Sequence, residues 1–470
     1  MNVFIKKVLP LITVMAISCS SPQEKDRFEE LLEYEGRYEY VGGQTLDLVA
    51  SEMDTTLYAV LNRAKYPLKY IEPNQFRDVQ KSLVVFKRNE QNKVAGYKVD
   101  GLEFKLLTRD FERTQMIPRK EWLDPEAYIY QQPEETEDAL QTAHLKEVFM
   151  DPEPIKQMVR HTIQGNFPEV HSILIYKNNK LVLEEYFYGY DRNTPHQLRS
   201  ATKPFIGAML GLSIDQGYIE SEEEKLLPFF EQKYPDIQNV DERKEQLTIR
   251  DFLKYRHGMD CENNNPESLG NEQAMMQSED WVKYTLDLPM VSAPGKSSSY
   301  CTGCPMVLGR LVEISTGEDI ETFARRHLFH PLGIESYRWD FEPNASGLHS
   351  YNMMELRPRD LLKLAKMYLD GGKWKGKQVL SESWVSKTFD TEPGDYGYLW
   401  EHKYFIVDGV QYDSYMASGN GGQKINIWPE YDMITVFTGG NYNSYQLYGE
   451  STPPNRMIPD YILKALSAPR

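Results

Sequence analysis

Strand-like runs stand at both ends of the C-terminal two-thirds of this chain, and a long helical stretch lies between them. Residues 173–176 and 181–187 are apolar runs joined through 177–180, where Asn178-Asn179 suits a tight turn. Residues 424–428 and 433–438 repeat the pattern around Pro429-Glu430-Tyr431-Asp432, and 403–407 add a strand candidate. Between these, apolar residues recur at helical spacing over 249–255, 305–315, 320–328 and 358–369, and 459–466 read as a closing helix. Strands at both ends of a helical insert must pair with one another to bury their faces. The pattern predicts an α/β (α+β) unit over residues 128–470: an antiparallel sheet flanked by helices, plus a helical subdomain.

A chain of 470 residues exceeds one ordinary core and suits two or three domains. Ahead of the sheet, residues 38–110 read as a small β-rich module, a meander or small barrel. Its runs at 46–49, 56–60, 82–86 and 102–107 are separated by turn signals such as Gly42-Gly43 and Asp100-Gly101. It carries no chemical constellation. Residues 111–127 are polar, Pro-interrupted and read as a linker.

Lys6 and Lys7 precede an apolar stretch at 8–17, too short to span a bilayer as a mature helix, so it reads as an export signal. Ala16-Ile17-Ser18-Cys19 places small residues before a cysteine and resembles the bacterial lipoprotein cleavage box. That resemblance implies loss of residues 1–18, acylation of Cys19, and residues 19–37 as a tether to a membrane of the bacterial cell envelope. Plain secretion with cleavage nearby is the alternative. A net charge of −17 repels phosphate backbones, so nucleic acid is not an expected partner.

Export would leave Cys261, Cys301 and Cys304 in an oxidising compartment, where one disulfide and one free thiol are the simplest outcome. Cys301-Thr302-Gly303-Cys304 is a CxxC, and with His257 and Cys261 it offers four zinc ligands on paper. Nothing in the spacing fixes their geometry, and no metal or organic cofactor is expected.

The strongest chemical signal is Ser200-Ala201-Thr202-Lys203, which opens the apolar run 204–214. Pro204 is compatible with a helix only in its first turn, so Ser200 is expected at a helix N-terminus with Lys203 on the same face. A buried amine favours its neutral form and can act as base to a serine hydroxyl, while the helix start offers N–H groups to an oxyanion.

The run from Leu198 to Lys203 with Asp215-Gln216-Gly217-Tyr218-Ile219 resembles the first motif of the class C-like serine β-lactamase and penicillin-binding-protein family. The similarity continues through Leu247-Thr248-Ile249-Arg250-Asp251, His257-Gly258-Met259-Asp260-Cys261, Tyr300, His330-Pro331-Leu332-Gly333, Tyr396-Gly397-Tyr398-Leu399-Trp400 and Ser418-Gly419-Asn420-Gly421-Gly422-Gln423. It is nearest the 6-aminohexanoate-dimer hydrolase branch. The resemblance implies Ser200 as nucleophile, Lys203 as base and Tyr300 as proton relay, with the N–H groups of Ser200 and Gln423 as oxyanion donors. It also implies substrate contacts from Thr302, Trp400, Asn420, Gly421 and Gly422, and a Cys261–Cys301 disulfide, with Cys261–Cys304 as the next possibility.

Two positions depart from the family pattern. Thr302 replaces an Asn, and Asn420 replaces a Lys or His that would bind a substrate carboxylate. The expected activity is therefore hydrolysis of a small-molecule ester, or an amide without a free carboxylate, in preference to β-lactams. A non-catalytic binding or scaffold protein on the same fold is the alternative.

Overall fold

The computed structural model describes residues 22–40, 43–61, 64–78, 81–114, 116–117, 123–339, 354–442, 444 and 449–466. The export signal and Cys19 lie outside them. The chain divides into two compact units after Leu123. No helix among the described residues is long and apolar enough to cross a membrane.

The first unit opens with α1 (Pro22–Leu32), followed by β1 (Gly36–Tyr40), β2 (Gln44–Ser51), β3 (Thr56–Leu61), β4 (Ala64–Glu72), β5 (Gln75–Arg77), β6 (Leu83–Arg88), β7 (Val94–Val99) and β8 (Leu102–Thr108). The eight strands form a closed antiparallel barrel in which β8 pairs back onto β1, removing every open edge. Tyr34, Tyr38, Phe76, Phe86, Tyr97 and Phe104 belong to its core cluster. Two expectations need correction. Part of the expected tether is α1, because Phe28, Leu31 and Leu32 form a short apolar stripe that joins the barrel core. Part of the expected linker also packs on this unit: Phe111, Met116 and Ile117 cluster with Val49, Tyr58 and Val60.

The second unit is built on a seven-stranded antiparallel sheet. Its strands are β9 (Val170–Lys177), β10 (Lys180–Tyr186), β11 (Tyr396–Gly397), β12 (Trp400–Val407), β13 (Val410–Gly419), β14 (Gln423–Trp428) and β15 (Met433–Gly439). The order across it is β10-β9-β15-β14-β13-β12-β11, so the two ends of the unit meet at the β9–β15 pair. Both faces are covered. Ile173 and Ile175 face a cluster with α2 (Pro152–Ile163) and the C-terminal helical turns, while Leu174 and Tyr176 face the larger core. That double burial is why these strands read as continuous apolar runs without alternation.

The larger core holds the inserted helices α3 (Lys203–Asp215), α4 (Ile249–Leu253), α5 (Glu272–Met276), α6 (Trp281–Asp287), α7 (Gly303–Thr316), α8 (Ile320–Ala324) and α9 (Pro358–Leu369). In α3 every residue from Lys203 to Ser213 is buried, as its unbroken apolar run predicts.

Candidate active site

Ser200 stands in a single 3₁₀ turn, Arg199–Thr202, that leads directly into α3, so the α-helix expected to start at Ser200 starts at Lys203. Pro204 falls within the first two positions of α3, where its missing N–H costs no hydrogen bond. Arg199 takes a left-handed φ of 52°, a strained conformation for a residue with a β-carbon, costing about 1 kcal/mol. Gly419 ends β13 against this turn. A β-carbon there would lie 2.1 Å from the Leu198 carbonyl oxygen and 3.1 Å from the Ala201 nitrogen, so only glycine lets the strand approach.

Lys203 is buried, and its Nζ donates to Ser200 Oγ at 2.6 Å and to the Tyr300 hydroxyl at 2.8 Å. Tyr300 precedes α7, and its ring packs beside Tyr255 and Tyr396. A disulfide joins Cys261 to Cys301, with Cα atoms 5.4 Å apart, and so ties the segment next to Tyr300 to the loop after Cys261. Among the described residues Cys304 is the free cysteine; it is buried, and burial pushes its thiol well up.

Ser200, Lys203, Tyr300, Thr302, Asn420 and Gly421 all line one cavity of about 930 Å³. Thr302 is locked in place. Its Oγ1 accepts from Asn263 Nδ2 at 2.5 Å and donates to Glu272 Oε1 at 3.1 Å, while its N–H donates to Asn263 Oδ1 at 2.7 Å. Asn263 and Glu272 also line the cavity, and sequence reasoning missed both. The available signal was that Asn263 sits two residues beyond Cys261. The carboxamide absent from position 302 is thus present from a neighbouring loop.

Three expected site residues lie off the cavity wall. Gln423 is fully buried and turned toward β15: its Nε2 donates to the Gly439 carbonyl at 2.6 Å, and its Oε1 accepts from the Gly439 N–H at 3.0 Å. Gly422 is also absent from the wall, which is made here by Ser418, Gly419, Asn420 and Gly421. The strand that meets Ser200 ends at Gly419, earlier than motif spacing implied. Trp400 is a core residue, its ring 5.2 Å from Tyr368 and fully buried. Strand alternation turns its neighbour Glu401 to the cavity instead.

Position 420 lacks the family's cation, but other cations stand in the wall of the cavity. Lys424, on β14, lines it beside Arg199 and Lys403. Lys424 pairs with Ser418 across the β13–β14 ladder, and its Nζ donates to Ser418 Oγ at 2.8 Å. The position after the glycines had been read only as strand.

His257, Cys301 and Cys304 place their ligand atoms within 4.8 Å of one another. This is not a ready metal centre. Cys301 is disulfide-bonded, His257 Nδ1 accepts from the Met259 N–H, and Nε2 contacts the Ser299 carbonyl oxygen at 3.1 Å. Burial pushes the His257 imidazole down to about 4, a neutral core histidine.

The profile of the β-lactamase family matches residues 155–438, an interval that holds Ser200, Lys203, Tyr300, Gly419 and Lys424. The chain belongs to the β-lactamase family. No curated protein matches it in sequence. Among solved structures, its fold is similar to a protein described as a 6-aminohexanoate-dimer hydrolase from Bacillus anthracis. That likeness has a TM-score of 0.53 at 16% identity and covers 65% of this chain and 81% of the other. A protein described as a β-lactamase from Bacteroides dorei is similar at a TM-score of 0.52 and 16% identity, covering 67% and 99%. EstCE1, described as a hydrolase with promiscuous acyltransferase activity, is similar at 0.53 and 13% identity, covering 67% and 98%. At such identities these likenesses speak for the fold of a β-lactamase-family member.

Proposed function

We propose that this chain is a serine hydrolase that cleaves an ester or amide bond of a small molecule through an acyl-enzyme on Ser200. The observation that carries the reading is the unbroken chain from Ser200 Oγ through Lys203 Nζ to the Tyr300 hydroxyl, set in the cavity wall. Lys203 takes the Ser200 proton as Oγ bonds to the substrate carbonyl carbon. The electron pair moves onto the carbonyl oxygen, beside the Ser200 N–H and the backbone at the Gly419–Gly421 end of β13. As the tetrahedral centre collapses, the leaving group departs with a proton relayed through Tyr300. Water then attacks the ester on Ser200, the proton path runs in reverse, and the acid is released.

Family membership and the likeness to proteins described as a 6-aminohexanoate-dimer hydrolase and a hydrolase with promiscuous acyltransferase activity support this class of reaction. Hydrolysis of a short nitrophenyl ester tests it: turnover by the wild type and none above background in folded Ser200→Ala supports the reading. Equal rates in both proteins would remove it.

We also propose that the chain is held to a bacterial envelope membrane through an acylated Cys19, on the motif Ala16-Ile17-Ser18-Cys19. Cys19→Ala should move the protein from the membrane fraction to the soluble fraction with its activity intact. Unchanged membrane association would refute the anchor.

A further inference from the structure

One face of the barrel in the first unit has charge opposite in sign to that of the chain as a whole. Strand alternation sends Leu68, Phe76, Val84, Phe86 and Tyr97 into the barrel core, so the residues beside them point outward. Register then places Lys69 opposite Arg77 and Arg77 opposite Leu83. In the next row Val85 stands opposite Lys98, and Lys98 opposite Glu103, while Lys87 and Lys105 extend the same outer face. In a chain of net charge −17, these cations outnumber the carboxylates Glu72 and Glu103 across β4–β8. Glu103 is shared by Lys87 and Lys98, so the surplus survives pairing. Leu83 and Val85 stand among the cations, 44% and 38% exposed. Elsewhere on the barrel the outer residues Val49, Tyr58 and Val60 are covered by Phe111, Met116 and Ile117. Apolar tips among lysines make a surface suited to the boundary between lipid headgroups and acyl chains.

The short lead into the barrel says which partner reaches this face. Pro22, the first residue of α1, follows Cys19 by three residues, a reach of about 10 Å. α1 packs into the barrel core through Phe28, Leu31 and Leu32, and the Arg27 guanidinium lies 3.8 Å over the ring of Tyr70, which follows Lys69 on β4. We propose that the β4–β8 face docks on the anionic surface of the membrane that holds Cys19, with its cations against lipid phosphates and Leu83 and Val85 at the headgroup boundary. The inference rests on the anchor reading for what brings the barrel to a membrane, but the face itself stands on strand register. A few exposed cations bind an anionic surface weakly and are screened by salt, so the face orients a protein that the acyl chain retains. Docking gives a role to a barrel that carries no chemical constellation.

Flotation with vesicles tests the face and the anchor separately. The chain from Ser20 onward keeps every described residue and lacks the anchor. It should float with vesicles of phosphatidylglycerol and phosphatidylethanolamine and not with phosphatidylcholine alone. Its affinity for the anionic vesicles should fall about tenfold or more as salt rises from about 0.05 M to about 0.5 M. Lys69→Gln, Arg77→Gln, Lys87→Gln and Lys98→Gln together should lower it about a hundredfold at low salt, with the fold checked by thermal melting. Should that variant not fold, the lipid and salt dependence of the unaltered chain decides. No flotation with the anionic vesicles, or flotation indifferent to lipid charge or to the four substitutions, would overturn the docking face. Binding of duplex DNA in place of those vesicles would overturn it too, and make the face a nucleic-acid surface. The full chain, processed in a bacterium, decides the anchor: flotation with phosphatidylcholine that Cys19→Ala abolishes upholds it whatever the shorter chain does. A full chain that floats only with the anionic vesicles would uphold the face and sink the anchor, and flotation with neither would sink both.

Discussion

Two lysines are buried in the walls of one cavity, and their surroundings differ. On the helical wall, Lys203 bonds both Ser200 Oγ and the Tyr300 hydroxyl, and Tyr300 is braced by the adjoining Cys261–Cys301 disulfide. On the strand wall, Lys424 bonds Ser418 Oγ, with Glu401 acting on it from β12, two strands away in the sheet. One amine is wired into a proton path between two hydroxyls. The other lines the cavity beside an uncharged hydroxyl. The same functional group thus stands between two reactive hydroxyls on one wall and beside a single hydroxyl of the sheet on the other.

The largest expected effect separates the two walls directly. Tyr300→Phe keeps the ring's packing and removes only the hydroxyl, so kcat should fall on the order of 10²–10⁴-fold while thermal stability holds. Because Ser200, Lys203 and Tyr300 act as a unit, Ser200→Ala with Lys203→Ala should be little worse than either alone. Additive losses in a steady-state assay of the double variant would show that the wall is not one device.

Next comes the brace. Cys261→Ser removes a crosslink spanning 40 residues and should cost about 2–4 kcal/mol, read from denaturant unfolding. It should also lower kcat, since Tyr300 adjoins Cys301. An unchanged kcat would mean that packing with Tyr255 and Tyr396 alone positions the phenol.

The smallest effect concerns the strand wall and has a definite sign. Lys424 is held near 8 in the fold against 10.5 for an ordinary lysine, so the unfolded chain binds this proton more tightly. Its burial penalty is therefore present in full below about pH 8 and fades as pH rises from there toward 10.5. At 1.36 kcal/mol per unit the penalty is at most about 3 kcal/mol. Lys424→Met should raise the melting temperature by roughly 2–4 °C at pH 7, and by less at pH 10. A melting temperature lowered equally at both pH values would mean that the ammonium is a structural keystone and its burial no net cost.

The helical wall was legible in the sequence because its signals are local. Ser200, Lys203 and Pro204 sit within one turn of each other, and the apolar run behind them leaves a buried helix as the reading. The hairpins at 173–187 and 424–438 were equally plain, since double burial makes continuous apolar runs. The strand wall was not legible. β13 carries polar Gln411, Asp413 and Ser414 and mimics a loop, so no strand was read there and the second oxyanion donor was assigned to Gln423, ahead of the following strand. Lys424 and Ser418 are neighbours only through ladder register, which no spacing rule reveals. Trp400 was misread because a motif position does not tell which face of a strand it occupies. In the barrel, β1, β4, β5 and β7 escaped notice for a similar reason. β4 contains Pro67, and Gly96 in β7 is needed where a β-carbon would lie 2.2 Å from the Phe104 carbonyl oxygen.

The central claim is that Ser200 is a nucleophile activated by Lys203. Reaction with a serine-directed phosphonate, followed by peptide mass mapping, tests it most directly. The account predicts one adduct on the peptide bearing Ser200, formed far more slowly in Lys203→Ala and absent from Ser200→Ala. A folded wild-type protein that takes up no phosphonate, or an adduct that persists in Ser200→Ala, would contradict it.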